Sequence, residues 1–123
     1  MPEYITGSHE ESILPDGEHD FGVDDAVEKT SSKGNPMIET DNVISHNGTT
    51  VRVRDYLVFS KGGTRKIDQF RLCTGDKLIP GEKVNFEAED CIGRKGRCRI
   101  VTETFEGRTR NKIDAYLPDD ISF

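Results

Sequence analysis

Residues 50–73 read TVRVRDYLVFSKGGTRKIDQFRLC, and the change of period inside them decides the fold. Val51, Val53, Leu57 and Phe59 alternate with Arg52, Arg54, Tyr56 and Val58. Successive side chains on a strand point to opposite faces, so this alternation predicts a strand with one buried face. Asp55 falls on the apolar parity. A carboxylate there needs either a bulge that swings it out or a hydrogen-bonded place inside. Ser60 is expected to end the strand and cap a helix. From Thr64 the apolar positions become Ile67, Phe70 and Cys73 (or Leu72), which suits one face of a short amphipathic helix.

Upstream, His46-Asn47-Gly48-Thr49 predicts a type I′ hairpin turn, because Asn-Gly tolerates the positive φ angles it requires. The strand before it, 37–45, carries Met37, Ile38, Val43 and Ile44 on both parities, which leaves its facing open. Residues 30–36 are a loop by composition. Residues 18–27 form a weak, acid-rich strand with Phe21, Val23 and Ala26. Leu14-Pro15-Asp16-Gly17 is a turn.

Downstream, 75–80 leaves the helix and 81–90 is an irregular connector. A strand over 97–105 places Cys98 and Ile100 on one parity. Glu106-Gly107-Arg108 turns the chain into a last strand, 111–117, with Ile113, Ala115 and Leu117 on one parity before Pro118. Strand, strand, strand, helix, strand, strand is the element order of the OB-fold. The expected fold is therefore mostly β, an OB-fold-like five-stranded Greek-key barrel with one helix between strands 3 and 4. A split α+β sheet or a small β-sandwich with one helix is the alternative. The domain is expected over 13–117, with a flexible N-terminal arm over 1–12 and an acidic C-terminal interaction tail over 118–123.

The chain has 123 residues, enough for one domain with a modest core. Hydrophobic and charged residues each make up 33%, which is polar for such a domain and points to exposed loops or ends. No apolar run approaches a membrane span, and no signal segment stands at the amino end, so a cytoplasmic protein without a membrane partner is expected. Cys73, Cys91 and Cys98 contain no CxxC pair, and an odd count argues for reduced, buried thiols. No metal and no cofactor is expected. There is no phosphate loop, HExxH or defensible Ser-His-Asp order, so the chain is not read as an enzyme.

The net charge is −6, but its distribution is uneven. Residues 1–51 carry two basic residues and eleven acids, whereas 52–117 carry fifteen basic residues and ten acids. Arg52, Arg54 and Tyr56 share the solvent parity of the central strand. Arg94, Lys95, Arg97 and Arg99 cluster at the fourth strand, and Phe105, Arg108, Arg110 and Lys112 flank the last hairpin. An OB-fold binds nucleic acid on strands 2 and 3 and on the loops joining strands 1–2 and 4–5. That mapping adds Lys33. Cations follow phosphates, and Tyr56 and Phe105 supply rings on which bases can stack. The competing reading is an ordinary solvated strand face.

The last residues are Pro118-Asp119-Asp120-Ile121-Ser122-Phe123. Exposed Ile and Phe beside acids suit a docking peptide, the ring in an apolar pocket and the acids on a basic rim. The stretch is similar to the acidic tip of bacterial single-stranded-DNA-binding proteins, with Ser122 where those have proline. That resemblance implies that Asp119, Asp120, Ile121 and Phe123 recruit replication or recombination proteins.

Residues 13–118 also resemble a family of small tailed-phage proteins catalogued as domain of unknown function 669. The residues that carry the likeness are Leu14-Pro15-Asp16-Gly17-Glu18, Lys33-Gly34-Asn35-Pro36-Met37 and the strand 53–60. Ile67-Asp68-Gln69-Phe70, Glu89-Asp90-Cys91-Ile92-Gly93 and Asp114-Ala115-Tyr116-Leu117-Pro118 complete it. Gly62-Gly63-Thr64 stands where members often carry bulkier helix formers. The family implies an OB-like, DNA-associated protein of a bacterial host cell. The expected function is thus phage-type single-stranded-DNA binding with little sequence preference, with partners recruited by the tail. A protein-interaction module that never touches DNA is the alternative. The oligomeric state is open, a homodimer being one option.

Overall fold

The computed structural model describes residues 13–118. The arm over 1–12 and the tail residues Asp119, Asp120, Ile121 and Phe123 lie outside them. The elements are β1 (Gly17–Thr30), β2 (Pro36–His46), β3 (Thr49–Val58), α1 (Thr64–Cys73), α2 (Ala88–Cys91), β4 (Lys95–Phe105) and β5 (Arg108–Leu117). The strands form one antiparallel sheet in the order β3-β2-β1-β4-β5. No described helix is long and apolar enough to cross a membrane.

β3 behaves as its alternation dictates. Val53, Asp55 and Leu57 are buried, while Arg52, Arg54 and Tyr56 are exposed. The turn before it has Asn47 at φ 48° and Gly48 at φ 79°, the left-handed pair that a type I′ hairpin requires. β2 turns its even positions inward: Ile38, Thr40, Asn42 and Ile44 are buried. Two of those four are polar, and hydrogen bonds make their burial tolerable. Thr40 Oγ1 donates to the Asp55 carbonyl at 3.3 Å, and Asn42 Nδ2 donates to Thr40 Oγ1 at 3.0 Å and to the Val53 carbonyl at 3.1 Å.

α1 lays Ile67, Phe70 and Cys73 on the core, as their spacing predicts. Phe70 sits between the rings of Tyr116 (5.1 Å, edge-on), Phe21 (6.2 Å) and Phe86 (6.2 Å). Burying a side chain of that size is worth roughly 1.5–3 kcal/mol. The helix is not capped by Ser60. Its N-cap is Gly63, without a side-chain cap, and a Cβ there would meet the Val58 carbonyl oxygen at 2.1 Å. The strand-to-helix turn is so tight that only glycine fits.

Three expectations are corrected. The sheet does not close into a barrel: β3 and β5 are its two edges, and no backbone ladder joins them. Side chains bridge that seam, because Asp55 faces inward from β3 and draws the hydroxyl of Tyr116 on β5 to itself. A second helix, α2, stands where an irregular connector was expected. A capping box nucleates it, with the Glu87 side chain accepting from the Asp90 N–H and Asp90 Oδ2 accepting from the Glu87 N–H at 2.8 Å. Finally, β5 buries Ile113 and Tyr116, not an Ile113-Ala115-Leu117 face. Arg99 pairs with Ala115 but Ile100 pairs with Ile113, so Asp114 is an extra residue that reverses the parity beyond it.

Candidate functional site

Where the sheet stays open, β3 and β5 face each other across a cleft of about 610 Å³. One wall is 51–56 of β3 and the other 109–113 of β5, with Ile13, Lys66 of α1 and Glu103 of β4 completing it. Five of the residues expected to contact DNA meet here: Arg52, Arg54, Tyr56, Arg110 and Lys112. Lys66 adds a fifth cation that the sequence did not single out. Its only sequence signal is its place one residue before the inward-facing Ile67. Five cations and two carboxylates, Asp55 and Glu103, line the cleft, and Asp24, Asp41 and Glu39 pair with Arg52 and Arg54 just outside it.

The floor is a closed hydrogen-bond set. Asp55 is 9% exposed, and its carboxylate accepts from Tyr116 Oη at 2.5 Å and from Lys66 Nζ at 2.8 Å. Lys66 Nζ also donates to the Tyr56 carbonyl at 2.9 Å. Burial, and after it the charge of Asp55, pushes the Tyr116 phenol well above its usual pKa, so it stays a donor. The carboxylate that broke the strand's alternation is therefore neutralised from inside. It presents little negative charge to a ligand.

At the rim, Phe105 is 58% exposed and the Arg110 guanidinium lies 5.5 Å from its ring centre. Such a pair offers a flat, cationic surface. Arg110 Nε contacts Glu103 at 3.0 Å and Lys112 Nζ lies 3.8 Å from the same carboxylate. Arg108 pairs across the hairpin with Phe105. On β3, Arg52 Nη1 donates to Asp24 at 2.9 Å and Asp41 at 3.0 Å, and Arg54 Nε lies 3.7 Å from Glu39. The hydrogen bond to Asp24 raises the Arg52 pKa, and the hydrogen bond from Lys29 lowers that of Glu39. Solvent-exposed pairs of this kind are weak and open to exchange.

The other candidates lie elsewhere. Arg97 pairs with Asp20 at 2.9 Å, and Arg99 lies 3.6 Å from Asp114. Both sit on the parity of β4 opposite to the buried Cys98 and Ile100. Arg94 is a structural clamp: it donates to the Asp90 carbonyl at 2.6 Å and to Thr74 Oγ1 at 3.0 Å, and pairs with Asp76 at 3.1 Å. Burial pulls the Asp76 carboxyl up, but the hydrogen bonds from Arg71 and Arg94 outweigh it and hold the carboxyl below its ordinary value. With Lys95, Arg94 borders a second hollow of about 470 Å³ beside Asp20, Asp24, Val43 and Ser45. Lys33 lies in the β1–β2 loop. Lys33, Lys95 and Arg108 have no ion-pair partner among the described residues.

Cys73, Cys91 and Cys98 are all buried thiols. Burial pushes Cys91 up to about 11 and Cys98 up to about 12. Among the described residues no group of three His, Cys, Asp or Glu side chains is placed to hold a metal ion. All 17 basic residues fall within 13–118, against 18 of the 23 acids.

No family model matches the chain, and no curated protein matches it.

Proposed function

We propose that the protein binds single-stranded DNA with little sequence preference, the strand lying in the seam between β3 and β5. The observation that carries this reading is the cleft itself, in which Arg52, Arg54, Lys66, Arg110 and Lys112 converge while Asp55 is already satisfied by Tyr116 and Lys66. Phosphates displace the exposed carboxylates from these cations, and bases stack on Phe105 and Tyr56. An OB-like domain with the helix after its third strand supports the same reading, since that fold binds oligonucleotides on strands 2 and 3 and the 4–5 loop. The sequence likeness to tailed-phage proteins supports it too, and with it the cytoplasm of a bacterial host is the proposed location.

Fluorescence anisotropy with a dye-labelled dT oligonucleotide at 50 and 200 mM salt is the test. Four phosphate contacts on a single strand give a salt slope near −2.8, so affinity falls about fifty-fold between the two conditions. Phe105→Ala weakens binding by about 1–3 kcal/mol if a base stacks there. Absence of binding at 50 mM salt overturns the proposal.

A second reading is a protein-interaction module that never touches DNA. It is favoured by the carboxylate partners that Arg52, Arg54, Arg97, Arg99, Arg110 and Lys112 already have, and by the near balance of charge over 13–118. Deleting 119–123 separates the two. A DNA-binding protein that recruits partners through Asp119, Asp120, Ile121 and Phe123 keeps or gains DNA affinity and loses partner capture. A pure interaction module loses its only activity.

A further inference from the structure

β1 outruns β4. Its first part, Gly17–Gly22, pairs with β4, and the chain entering β4 still holds Val23, whose N–H donates to the Arg94 carbonyl and whose carbonyl accepts from the Gly93 N–H, both at 2.8 Å. Beyond Val23 the only strand alongside is β2, so 24–30 carries a bare edge. Antiparallel ladders alternate, and the alternation decides which groups that edge shows. The Phe59 N–H bonds the Pro36 carbonyl, so the even positions of β2 face β3 and the odd ones face β1. Their partners Asp25, Val27 and Lys29 are thereby bonded to β2, and Ala26, Glu28 and Thr30 aim N–H and C=O away from it. Open edges of this kind are templates for another strand. Among the described residues one of these groups is covered, and only locally: the Ala26 N–H donates to Asp25 Oδ1 at 2.9 Å. Between the open rungs of Ala26 and Glu28 stands Val27, 41% exposed.

We propose that this edge pairs with the same edge of a second copy of the chain, antiparallel about a twofold axis through Val27. Ala26 then faces Glu28 of the second copy and Glu28 faces its Ala26, two rungs with four backbone hydrogen bonds. Val27 meets Val27 as the non-hydrogen-bonded pair between them, and Asp25 meets Lys29 of the second copy at either end. Self-complementarity selects this occupant, because Asp25-Ala26-Val27-Glu28-Lys29 read against itself sets acid opposite base at the ends and apolar opposite apolar in the middle. Shifting the register by two residues sets Glu28 opposite Glu28, or Asp24 opposite Glu28, and Val27 opposite a charge. Lys29 already holds Glu39 at 3.0 Å, so charge selects the register and the backbone rungs supply the attraction. Asp25 gains most: it lies directly across from Asp41 in the β1–β2 register and has no cation among the described residues. On pairing it exchanges its own Ala26 N–H for the Lys29 ammonium. The edge is two strands away from β3, so the β3–β5 cleft stays open and the proposal is independent of what that cleft binds.

Cysteine scanning on the full chain tests the register. Across a non-hydrogen-bonded pair the Cα atoms lie about 4.5 Å apart, within disulfide range, whereas two copies of residue 25 or of residue 29 lie four positions apart along the strands, about 13 Å. With oxidised glutathione, Val27→Cys is expected to give a covalent dimer on a non-reducing gel, while Asp25→Cys, Lys29→Cys and the unaltered chain do not. Sedimentation equilibrium tests the association itself. The unaltered chain is expected to dimerise as its concentration rises to about 0.1 mM, and Val27→Lys, which sets like charges on the axis of an already exposed position, weakens this by about tenfold or more without moving the urea midpoint. A chain that stays monomeric at that concentration, Val27→Lys dimers as tight as the original, or links at 25 and 29 as ready as at 27, each overturn the pairing.

Discussion

Tyr116→Phe removes one oxygen and tests how the open seam is held. The hydroxyl donates to the Asp55 carboxylate at 2.5 Å, and Tyr116 itself is 1% exposed. A hydrogen bond to a charged acceptor contributes about 1.5–3 kcal/mol. The ring stays, so the packing with Phe21 at 5.4 Å and Phe70 at 5.1 Å is kept and no cavity opens. Asp55 retains Lys66 at 2.8 Å, so the carboxylate is not stranded. The expected loss is therefore near the middle of that range, about 2 kcal/mol. Urea unfolding followed by circular dichroism measures it, with an unchanged m-value as the sign that only stability moved. In a double-mutant cycle with Lys66→Met, the effect of Tyr116→Phe grows, because the second change leaves Asp55 buried and alone. A loss under about 0.5 kcal/mol would refute the argument that a side-chain bridge stands in for a β3–β5 ladder.

Further outcomes follow from the same structure. Gly63→Ala drives a Cβ against the Val58 carbonyl, so it destabilises by about 1–3 kcal/mol in urea titrations, whereas Gly62→Ala, which meets nothing, is far milder. Cys91 and Cys98 bind their protons more tightly when folded, so their contribution is complete below pH 9 and is lost as pH rises toward about 11 and 12. The urea midpoint accordingly falls between pH 9 and 11, and Cys98→Ala flattens that fall. Asp76 has the opposite sign: its depressed pKa contributes stability above its ordinary value of 3.8, and this is lost as pH falls through the lower folded value. Asp76→Asn removes that part of the acid transition, read by thermal melts from pH 5 to pH 2.

The central strand and α1 were legible because their periods are unambiguous: alternation up to Leu57, then Ile67, Phe70 and Cys73. β2 was not, because half its inward face is Thr40 and Asn42, which read as solvent residues until their hydrogen bonds are seen. β5 misled because the extra residue Asp114 reverses parity, and no local pattern marks which residue of a strand will be the bulge. α2 escaped because its cap is Glu87, outside the usual Ser, Thr, Asp and Asn. For the site, parity alone selected Arg52, Arg54 and Tyr56. What placed Arg110 and Lys112 opposite them was the long-range arrangement of the two edges. The same arrangement sends Arg97 and Arg99 to other acids and leaves Arg94 holding the chain around Asp76. Asp55 was the most informative misfit, since a carboxylate on an apolar parity predicts a partner before the partner is known.

β1 is shared unequally by its neighbours. Gly17–Gly22 pairs with β4 and Phe21–Thr30 with β2, so the two ladders overlap only at Phe21 and Gly22. The ladder with β2 closes over a short hairpin, while the ladder with β4 waits for about 70 intervening residues to be brought back. Folding speed falls as such long-range pairings dominate. The β1–β2–β3 meander therefore forms first, and β4–β5 docks onto its exposed half. In native-state hydrogen exchange, the amides of β4 and β5 open at lower free energy than those of β2, with the boundary between the two cooperative units falling at Phe21–Gly22.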